Sequence, residues 1–144
     1  MWGRLAGLMR TRNARRQQGL AAAEVLETRA LLAGNVQVTL SDGHAVVTGD
    51  SADNLIRVRP DGSQIVVEGL EGTTINGGTA VFAISADGAR MAGRLWMFLD
   101  AGNDSAVISP GITFERGFRV YGGDGNDRLS ALGSTFQRLA GFFG

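Results

Sequence analysis

The chain of 144 residues contains no cysteine and no lysine, and it has only two prolines. Without cysteine it forms no disulfide, has no thiolate nucleophile, and cannot bind zinc or an iron–sulfur cluster through sulfur. These absences exclude several classes of enzyme and metalloprotein. In contrast, glycine is abundant, with 22 residues in a chain of ordinary apolar content. That composition is typical of short strands joined by tight turns rather than of disorder.

Long apolar runs are also missing. A membrane-spanning helix needs roughly 20 apolar residues, and the longest run in the second half of the chain covers only residues 95–99. The N-terminus lacks the uninterrupted stretch of roughly 7–15 apolar residues found in a standard signal peptide. We therefore predict no membrane-spanning segment.

The charges divide the chain into two parts. Residues 1–30 carry six Arg and two Glu, a net charge of +4, whereas residues 31–144 carry eight Arg and twelve acidic residues, a net charge of −4. The N-terminal part also contains an Ala-rich, helix-capable run at 19–26. We predict a basic targeting arm, helical or disordered, over residues 1–33 and a β-rich repeat domain over residues 34–144.

Two antiparallel hairpins are predicted where this domain begins. Apolar and polar residues alternate with period two on both sides of Asp42–Gly43, and Asp-Gly between such runs is typical of a hairpin. The pattern recurs on both sides of residues 60–63, where Pro presets the φ angle of a turn and Gly accepts a positive φ. We also expect a strand at 79–85 and a turn at 86–89.

The last third of the chain repeats itself. Apolar, Gly, Asn and Asp residues of 95–104 recur 23 positions later, at 118–127, and the pattern of 111–116 recurs 22 positions later. Repeats of this length imply stacked equivalent units. The predicted fold is therefore all-β, with antiparallel hairpins followed by parallel β-helix or β-solenoid-like coils. Gly144 falls on the first Gly of a further turn, so we expect the domain to be truncated there.

The turns of these repeats are rich in Gly, Asn and Asp. Residues 122–129 read Gly-Gly-Asp-Gly-Asn-Asp-Arg-Leu, residues 101–107 match them in part, and residues 49–55 are a looser relative. The first of these segments resembles the haemolysin-type (repeats-in-toxin) calcium-binding nonapeptide. That family builds parallel β-rolls with Ca²⁺ between the turns, so the resemblance implies Ca²⁺ as the ligand. The implied metal ligands are Asp104, Asn126 and Asp127, with Asp100, Asn103 and Asp124 in support.

Each residue type in these turns suits calcium chemistry. Gly permits positive φ, while carboxylates and exposed carbonyls bind a hard cation. In stacked units, Asp104 and Asp127 would lie about 4.8 Å apart and repel by roughly 1 kcal/mol in water, or about 3–4 kcal/mol at an effective dielectric near 20. A cation would relieve that repulsion. The alternative is that Asn and Asp only cap turns by hydrogen bonding to their own backbone.

A second resemblance lies at residues 26–33, Leu-Glu-Thr-Arg-Ala-Leu-Leu-Ala, between the Arg cluster and the β-rich part. This segment looks like the N-terminal LEPR-type motif of exported planctomycete proteins, with Thr28 where that family has Pro. The resemblance implies an extracellular or cell-surface location. The alternative is an ordinary Leu-rich helix end that stops at Gly34.

Catalysis is not predicted. Ser41, Asp42 and His44 are residue types of a catalytic triad, but side chains crowded into one hairpin turn cannot adopt its geometry. The Arg-rich arm has no interleaved aromatic residues and the rest of the chain is acidic, so nucleic-acid binding is not predicted either. Five aromatic residues are expected to form ladders in the core rather than a sugar-binding platform: Trp96, Phe98, Phe114, Phe118 and Phe136.

Together these features predict a non-enzymatic structural or adhesive module of an extracellular or cell-surface protein, stabilised by calcium at its turns. The expected partners are calcium, other surface proteins and polysaccharide. The alternative is an N-terminal fragment of a β-helix polysaccharide-active enzyme or adhesin that has no activity of its own.

Overall fold

The computed structural model describes residues 34–78, 81–85 and 87–144, without the side chains of residues 81–83 and 85. The predicted arm and the LEPR-like segment lie outside the described residues. Within them no helix has the length and apolarity to cross a bilayer. The described residues form the strands β1 Asn35–Ser41, β2 His44–Thr48, β3 Leu55–Asp61, β4 Gln64–Gly69, β5 Thr74–Ile75, β6 Val81–Ser85, β7 Arg90–Met91, β8 Arg94–Phe98, β9 Ser105–Ile108, β10 Thr113–Phe114, β11 Gly117–Tyr121, β12 Arg128–Ser130, β13 Thr135–Phe136 and β14 Ala140–Phe143.

These strands form three sheets, so the all-β prediction is confirmed for the described part of the chain. One sheet has the order β14-β11-β8-β2-β1-β5, a second has the order β12-β9-β3-β4-β6, and a third has the order β13-β10-β7. Antiparallel pairs join β1 to β2, β3 to β4 and β4 to β6. The remaining strand pairs are parallel.

Both predicted hairpins are present. β1 pairs with β2 around Asp42 and Gly43, whose φ angles of 50° and 74° are those of a type I′ turn. In the second hairpin the prediction for Pro60 is wrong, because Pro60 lies in strand β3 opposite Ile65 and not in the turn. The chain reverses at the next residues, where Gly62 supplies the positive φ of 58°. The Asp-Gly pair therefore located the hairpin correctly, but Pro60 does not shape its turn.

The sequence repeat corresponds to parallel strand pairing. Leu95 of β8 pairs with Phe118 of β11, an offset of 23 residues, and Phe114 of β10 pairs with Phe136 of β13, an offset of 22. An earlier unit joins the same sheet at an offset of 50, where Ala45 pairs with Leu95. The longer offset arises because β4, β5 and β6 are inserted between that unit and the next. The strand expected at 79–85 is β6, beside β4.

Alternate residues of the strands face a continuous apolar core. Leu95 and Met97 of β8 have no exposed surface, and Val120 lies on the next strand of the sheet at the same depth. Phe114 stacks on the ring of Phe136 with 5.2 Å between the ring centroids. The predicted aromatic ladder in the core is therefore present for these phenylalanines.

The prediction of a core position is wrong for Phe98. Since Leu95 and Met97 face inward, the alternation of β8 turns Phe98 outward, and 39% of its surface is exposed. Its ring stacks on that of Tyr121 at 5.0 Å, and Tyr121 stacks on Phe143 at 4.9 Å. The sheet thus carries an aromatic row on its outer surface as well as one in the core. Trp96 also points outward and is half-buried.

Candidate functional site: the stacked turns

Three turns that share the Gly/Asn/Asp pattern lie one above another. They cover residues 49–55, 99–105 and 122–128, and we call them the turn stack. The strands that follow them are paired in parallel, with Leu55 beside Ser105 and Ser105 beside Arg128. The looser relative at 49–55 is therefore the first member of the same stack as the two repeated turns.

An inner row of polar side chains links the three turns. Oδ1 of Asp104 accepts hydrogen bonds from the backbone N–H of Asn54 at 2.7 Å and from its Nδ2 at 3.1 Å. Oδ1 of Asp127 accepts from the backbone N–H of Asp104 at 3.0 Å. Asn54 and Asp104 are each only 1% exposed. Each side chain of the later turns thus satisfies a backbone donor of the turn before it.

An outer row links the same turns at the neighbouring position. The backbone N–H of Asn103 donates to Oδ1 of Asp53 at 2.7 Å, and the N–H of Asn126 donates to Oδ1 of Asn103 at 3.0 Å. Here the side chain of the earlier turn accepts from the backbone of the later one, so the outer row runs in the opposite direction to the inner row. The outer row lies at the exposed surface.

Asp100 and Asp124 belong to the turn stack, but their side chains are exposed. Backbone atoms join them, since the N–H of Asp124 donates to the carbonyl of Asp100 at 3.0 Å. Together with Phe98 and Tyr121 they line a surface depression of about 580 Å³. Asp100 has a φ of 73° at the position that Gly123 occupies in the next turn. These two carboxylates therefore face outward, away from the inner row.

All six predicted metal ligands lie in the turn stack, but in three different environments. Asp104 and Asp127 belong to the inner row, Asn103 and Asn126 to the outer row, and the other two to the depression. Sequence reasoning missed Asp53 and Asn54, which begin the two rows. The signal for them is the alignment of Asp53-Asn54 with Asn103-Asp104 at an offset of 50 residues, within the segment 49–55 that resembles the later turns.

Burial changes the pKa of the Asp104 carboxyl. The loss of water raises the pKa of its carboxyl above the ordinary value of 3.8, although the hydrogen bonds from Asn54 act in the opposite direction. The charges of Asp127 and Asp53 raise the pKa further. Oδ2 of Asp104 and Oδ2 of Asp127 are buried without a hydrogen-bond partner among the described residues. Each of these oxygens could contact a cation.

The described residues do not supply a complete calcium site by themselves. Calcium in proteins takes six to eight oxygen ligands. The inner row offers three unpartnered side-chain oxygens, Oδ1 of Asn54 and the Oδ2 atoms of Asp104 and Asp127, while Oδ1 of each Asp accepts hydrogen bonds. No group of three or more His, Asp or Glu side chains is arranged to hold a metal within the described ranges. Calcium binding therefore stays a prediction, and the visible role of these Asn and Asp residues is to bond the backbone of the neighbouring turn.

Glycine lets the turns approach closely. Gly125 has a φ of 140°, and a Cβ added to it would overlap the carbonyl oxygen of Gly102 in the preceding turn. A Cβ added to Gly102 would in turn lie 2.7 Å from the carbonyl oxygen of Ala52. Only a residue without a side chain allows the backbones to stack at this distance, which explains the Gly-x-Asp spacing of the repeats.

No protein-family model, no curated protein and no solved structure matches the chain. The architecture and the chemistry of the described side chains are therefore the observations from which a function can be inferred.

Replacing Gly125 with Ala tests the close approach of the turns. We expect the free energy of unfolding to fall by about 2–4 kcal/mol, because the methyl group meets a carbonyl oxygen as well as an unfavourable φ. Gly62→Ala is the control, since Gly62 also has a positive φ but nothing within 4 Å of the added atom, and it should cost only about 1–2 kcal/mol. Urea denaturation measures both. Equal losses would contradict the close approach.

The raised pKa of Asp104 predicts a pH-dependent effect of Asp104→Asn. A carboxyl whose pKa is higher in the folded state binds its proton more tightly there, so it destabilises the fold most at neutral pH and less as pH falls toward 3.8. Asn54 already fills the equivalent position of the first turn, so an amide is compatible with the row. The stability gain of the variant over the natural chain should therefore shrink as the pH is lowered.

Urea denaturation across this pH range measures that difference. Asp124→Asn is the matched control, since it removes an exposed charge from the same turn stack. Parallel pH curves for the two variants would contradict the buried position of the Asp104 carboxylate.

Proposed function

We propose that the chain is a non-catalytic structural or adhesive module of an extracellular or cell-surface protein, in which the turn stack holds the strands in register. The observation that carries the proposal is the pair of side-chain-to-backbone hydrogen-bond rows that run through all three turns. These rows use the conspicuous Asn and Asp residues to join one turn to the next.

The burial of the inner row favours a structural role over a catalytic one. Asn54 and Asp104 are 1% exposed, so a substrate in solution cannot reach their polar atoms. Asp104 accepts two hydrogen bonds from Asn54 in the neighbouring turn and has a raised pKa because of burial. A carboxyl of raised pKa is also common in acid catalysis, but such a group needs access to the reacting atoms.

The finer architecture belongs to the same proposal. Parallel pairing at offsets of 23 and 22 residues supports a short β-helix, in which successive coils add one strand to each of the three sheets. The antiparallel pairs of β3, β4 and β6 cover one end of the second sheet. Extended, repetitive folds of this kind gain stability from each neighbouring unit and present long regular surfaces, which suits a structural or adhesive role.

Calcium binding is the second candidate function, and one observation favours it. The two unpartnered Oδ2 atoms belong to Asp104 and Asp127, which are repeat-equivalent residues of adjacent turns. The charge of Asp127 raises the pKa of Asp104, so the two carboxylates repel each other, and a cation would remove that repulsion. In this candidate calcium stabilises the turns and takes part in no reaction.

Asn54→Ala tests the structural role of the inner row. Removing this side chain deprives Asp104 of one donor and removes the hydrogen bond from Nδ2 to the carbonyl of Ala52 at 2.8 Å. We expect the free energy of unfolding to fall by about 1–3 kcal/mol. Asn126→Ala, at the exposed end of the outer row, should have a smaller effect. Thermal or urea denaturation provides the measurement.

Two outcomes would count against the proposal. Equal stability of Asn54→Ala and the natural chain would remove the structural role of the row. New reducing ends or unsaturated products after incubation with a panel of acidic and neutral polysaccharides would show catalysis, and would favour the β-helix enzyme alternative.

Calorimetric titration of the full chain with calcium tests the second candidate. We expect saturable binding and a higher melting temperature, since a ligand at 100 times its Kd stabilises by about 2.7 kcal/mol. Asp104→Asn/Asp127→Asn should lose both effects, because amides keep the hydrogen-bond acceptors but not the charge. Asp42→Asn/Asp87→Asn, which removes two charges from exposed positions away from the turn stack, should keep them. No saturable heat, or equal binding in both variants, would exclude this calcium site.

A further inference from the structure

Four arginine side chains surround a depression on the outer surface of the six-stranded sheet. The depression has a volume of about 570 Å³ and contains no acidic residue in its lining. It is lined by Arg94, Trp96, Arg116, Gly117, Arg119, Arg138 and Leu139. We call it the arginine depression. It shares no lining residue with the depression lined by Asp100 and Asp124, although Arg119 contacts Tyr121, which lines that second depression.

The charge of this depression stands out against its surroundings. Residues 34–144 contain eight Arg and twelve acidic residues, yet half of the arginines line this one site. Arg57, Arg59 and Arg90 form ion pairs with acidic residues. The four arginines of the depression form no ion pair within the part of the chain that the structure describes. Clustered guanidinium groups repel one another, so an anion bound among them would be stabilised.

One position in the column of side chains that lines the depression is a glycine. Gly117 of β11 pairs with Arg94 of β8, so both occupy the same outward column of the sheet. A Cβ added to Gly117 would lie 3.7 Å from Cγ of Arg94 and 3.8 Å from the carbonyl oxygen of Leu139. These are ordinary contact distances, so a Cβ fits at Gly117 without displacing either neighbour.

Aromatic side chains orient two of the arginines. The guanidinium carbon of Arg94 lies 5.6 Å from the centroid of the Trp96 ring, within the range of a cation–π interaction. Nη1 of Arg119 lies 3.5 Å from the hydroxyl oxygen of Tyr121. Each guanidinium has five N–H donors in a planar fork, so most donors stay available to a ligand. Trp96 adds an apolar surface next to the charged groups.

We propose that the arginine depression binds an acidic polysaccharide, with guanidinium groups pairing with carboxylate or sulfate groups and Trp96 contacting the C–H face of a sugar ring. Arginine matches planar carboxylates in bidentate geometry. The volume falls within the roughly 300–1,000 Å³ of small-ligand sites and accommodates a few sugar units. This inference names the partner class of the adhesive role and in that respect rests on the proposed function.

Nucleic acid fits the site less well. A duplex or a long single strand places phosphates well beyond one depression, and its affinity depends on many phosphate contacts. Outside the arginine depression those phosphates would meet a domain of net negative charge. The observations therefore favour a short anionic segment that contacts the four arginines only.

Tryptophan fluorescence tests the proposal on the full chain. In a Trp2→Phe background, Trp96 is the only tryptophan and reports directly on the depression. The probes are a galacturonic acid hexamer and a sulfated galactose hexamer, with the methyl-esterified galacturonic acid hexamer as the neutral control. We expect saturable fluorescence changes with one or both acidic probes, at least tenfold weaker binding of the neutral one, and weaker binding at higher salt.

Two variants locate the binding. Arg119→Gln should weaken it about tenfold or more, because a charge-assisted hydrogen-bond pair is lost. Gly117→Leu should weaken it by at least as much while leaving every charge in place, since the leucine side chain fills the depression. Arg128→Gln, which removes one charge outside the depression, should bind within about twofold of the natural chain. Thermal melting of each variant verifies that it is folded.

Several results would overturn the inference. Unchanged affinity in Gly117→Leu would place the binding elsewhere, for example in the arginine-rich residues 1–30. Equal binding of the acidic and esterified hexamers, or no binding of either acidic probe, would remove the anionic sugar. Tighter binding of a single-stranded DNA oligonucleotide that also quenches Trp96 would assign the site to nucleic acid. Failure of this test leaves the Asn54→Ala result intact, so the structural role and the partner class are tested separately.

Discussion

Hydrogen bonding between a turn and its neighbour is the interaction on which the described architecture depends. Backbone N–H groups in tight turns have no strand partner, and burying them unpaired costs about 1–3 kcal/mol each. In the turn stack, Asp104 and Asp127 accept from such donors of the preceding turn. The strands that follow then start at equivalent heights, which sets the register of β3, β9 and β12.

That constraint explains why buried carboxylates occur in an otherwise apolar interior. The Asp104 carboxylate loses its hydration on folding, and this desolvation raises its pKa. Its Oδ1 atom receives two hydrogen bonds in return, while Oδ2 remains without a partner among the described residues. A side chain as short as that of Asp104 cannot extend to solvent and still accept a hydrogen bond from the backbone of the preceding turn. Because Gly125 and Gly102 allow the turns to stack closely, the distance between adjacent turns is short enough for an Asp or Asn side chain to span.

Sequence patterns predicted the local elements well and their surroundings less well. Asp42–Gly43 located the first hairpin because its turn requires positive φ, and the 23-residue repeat corresponds to the pairing of β8 with β11. The pattern could not show that Phe98 faces outward, because residues 95–99 are all apolar. Alternation alone does not say whether Leu95 and Met97 or Trp96 and Phe98 face the core. Likewise, Asn54 bonds to Asp104, 50 residues later, because β4, β5 and β6 are inserted between the two turns. The length of that insertion cannot be inferred from the 22- and 23-residue repeats.

The opposite directions of the inner and outer rows give the turn stack a polarity. At its last turn the outer row ends in the side-chain oxygen of Asn126, and the inner row ends in the backbone N–H of Asp127. A further turn that continued both rows would need a backbone donor opposite the first and a carboxylate or amide oxygen opposite the second. The inner row therefore selects the residue type of an adjoining turn, because only a short side chain with an acceptor oxygen can continue it, whereas any residue except Pro can continue the outer row.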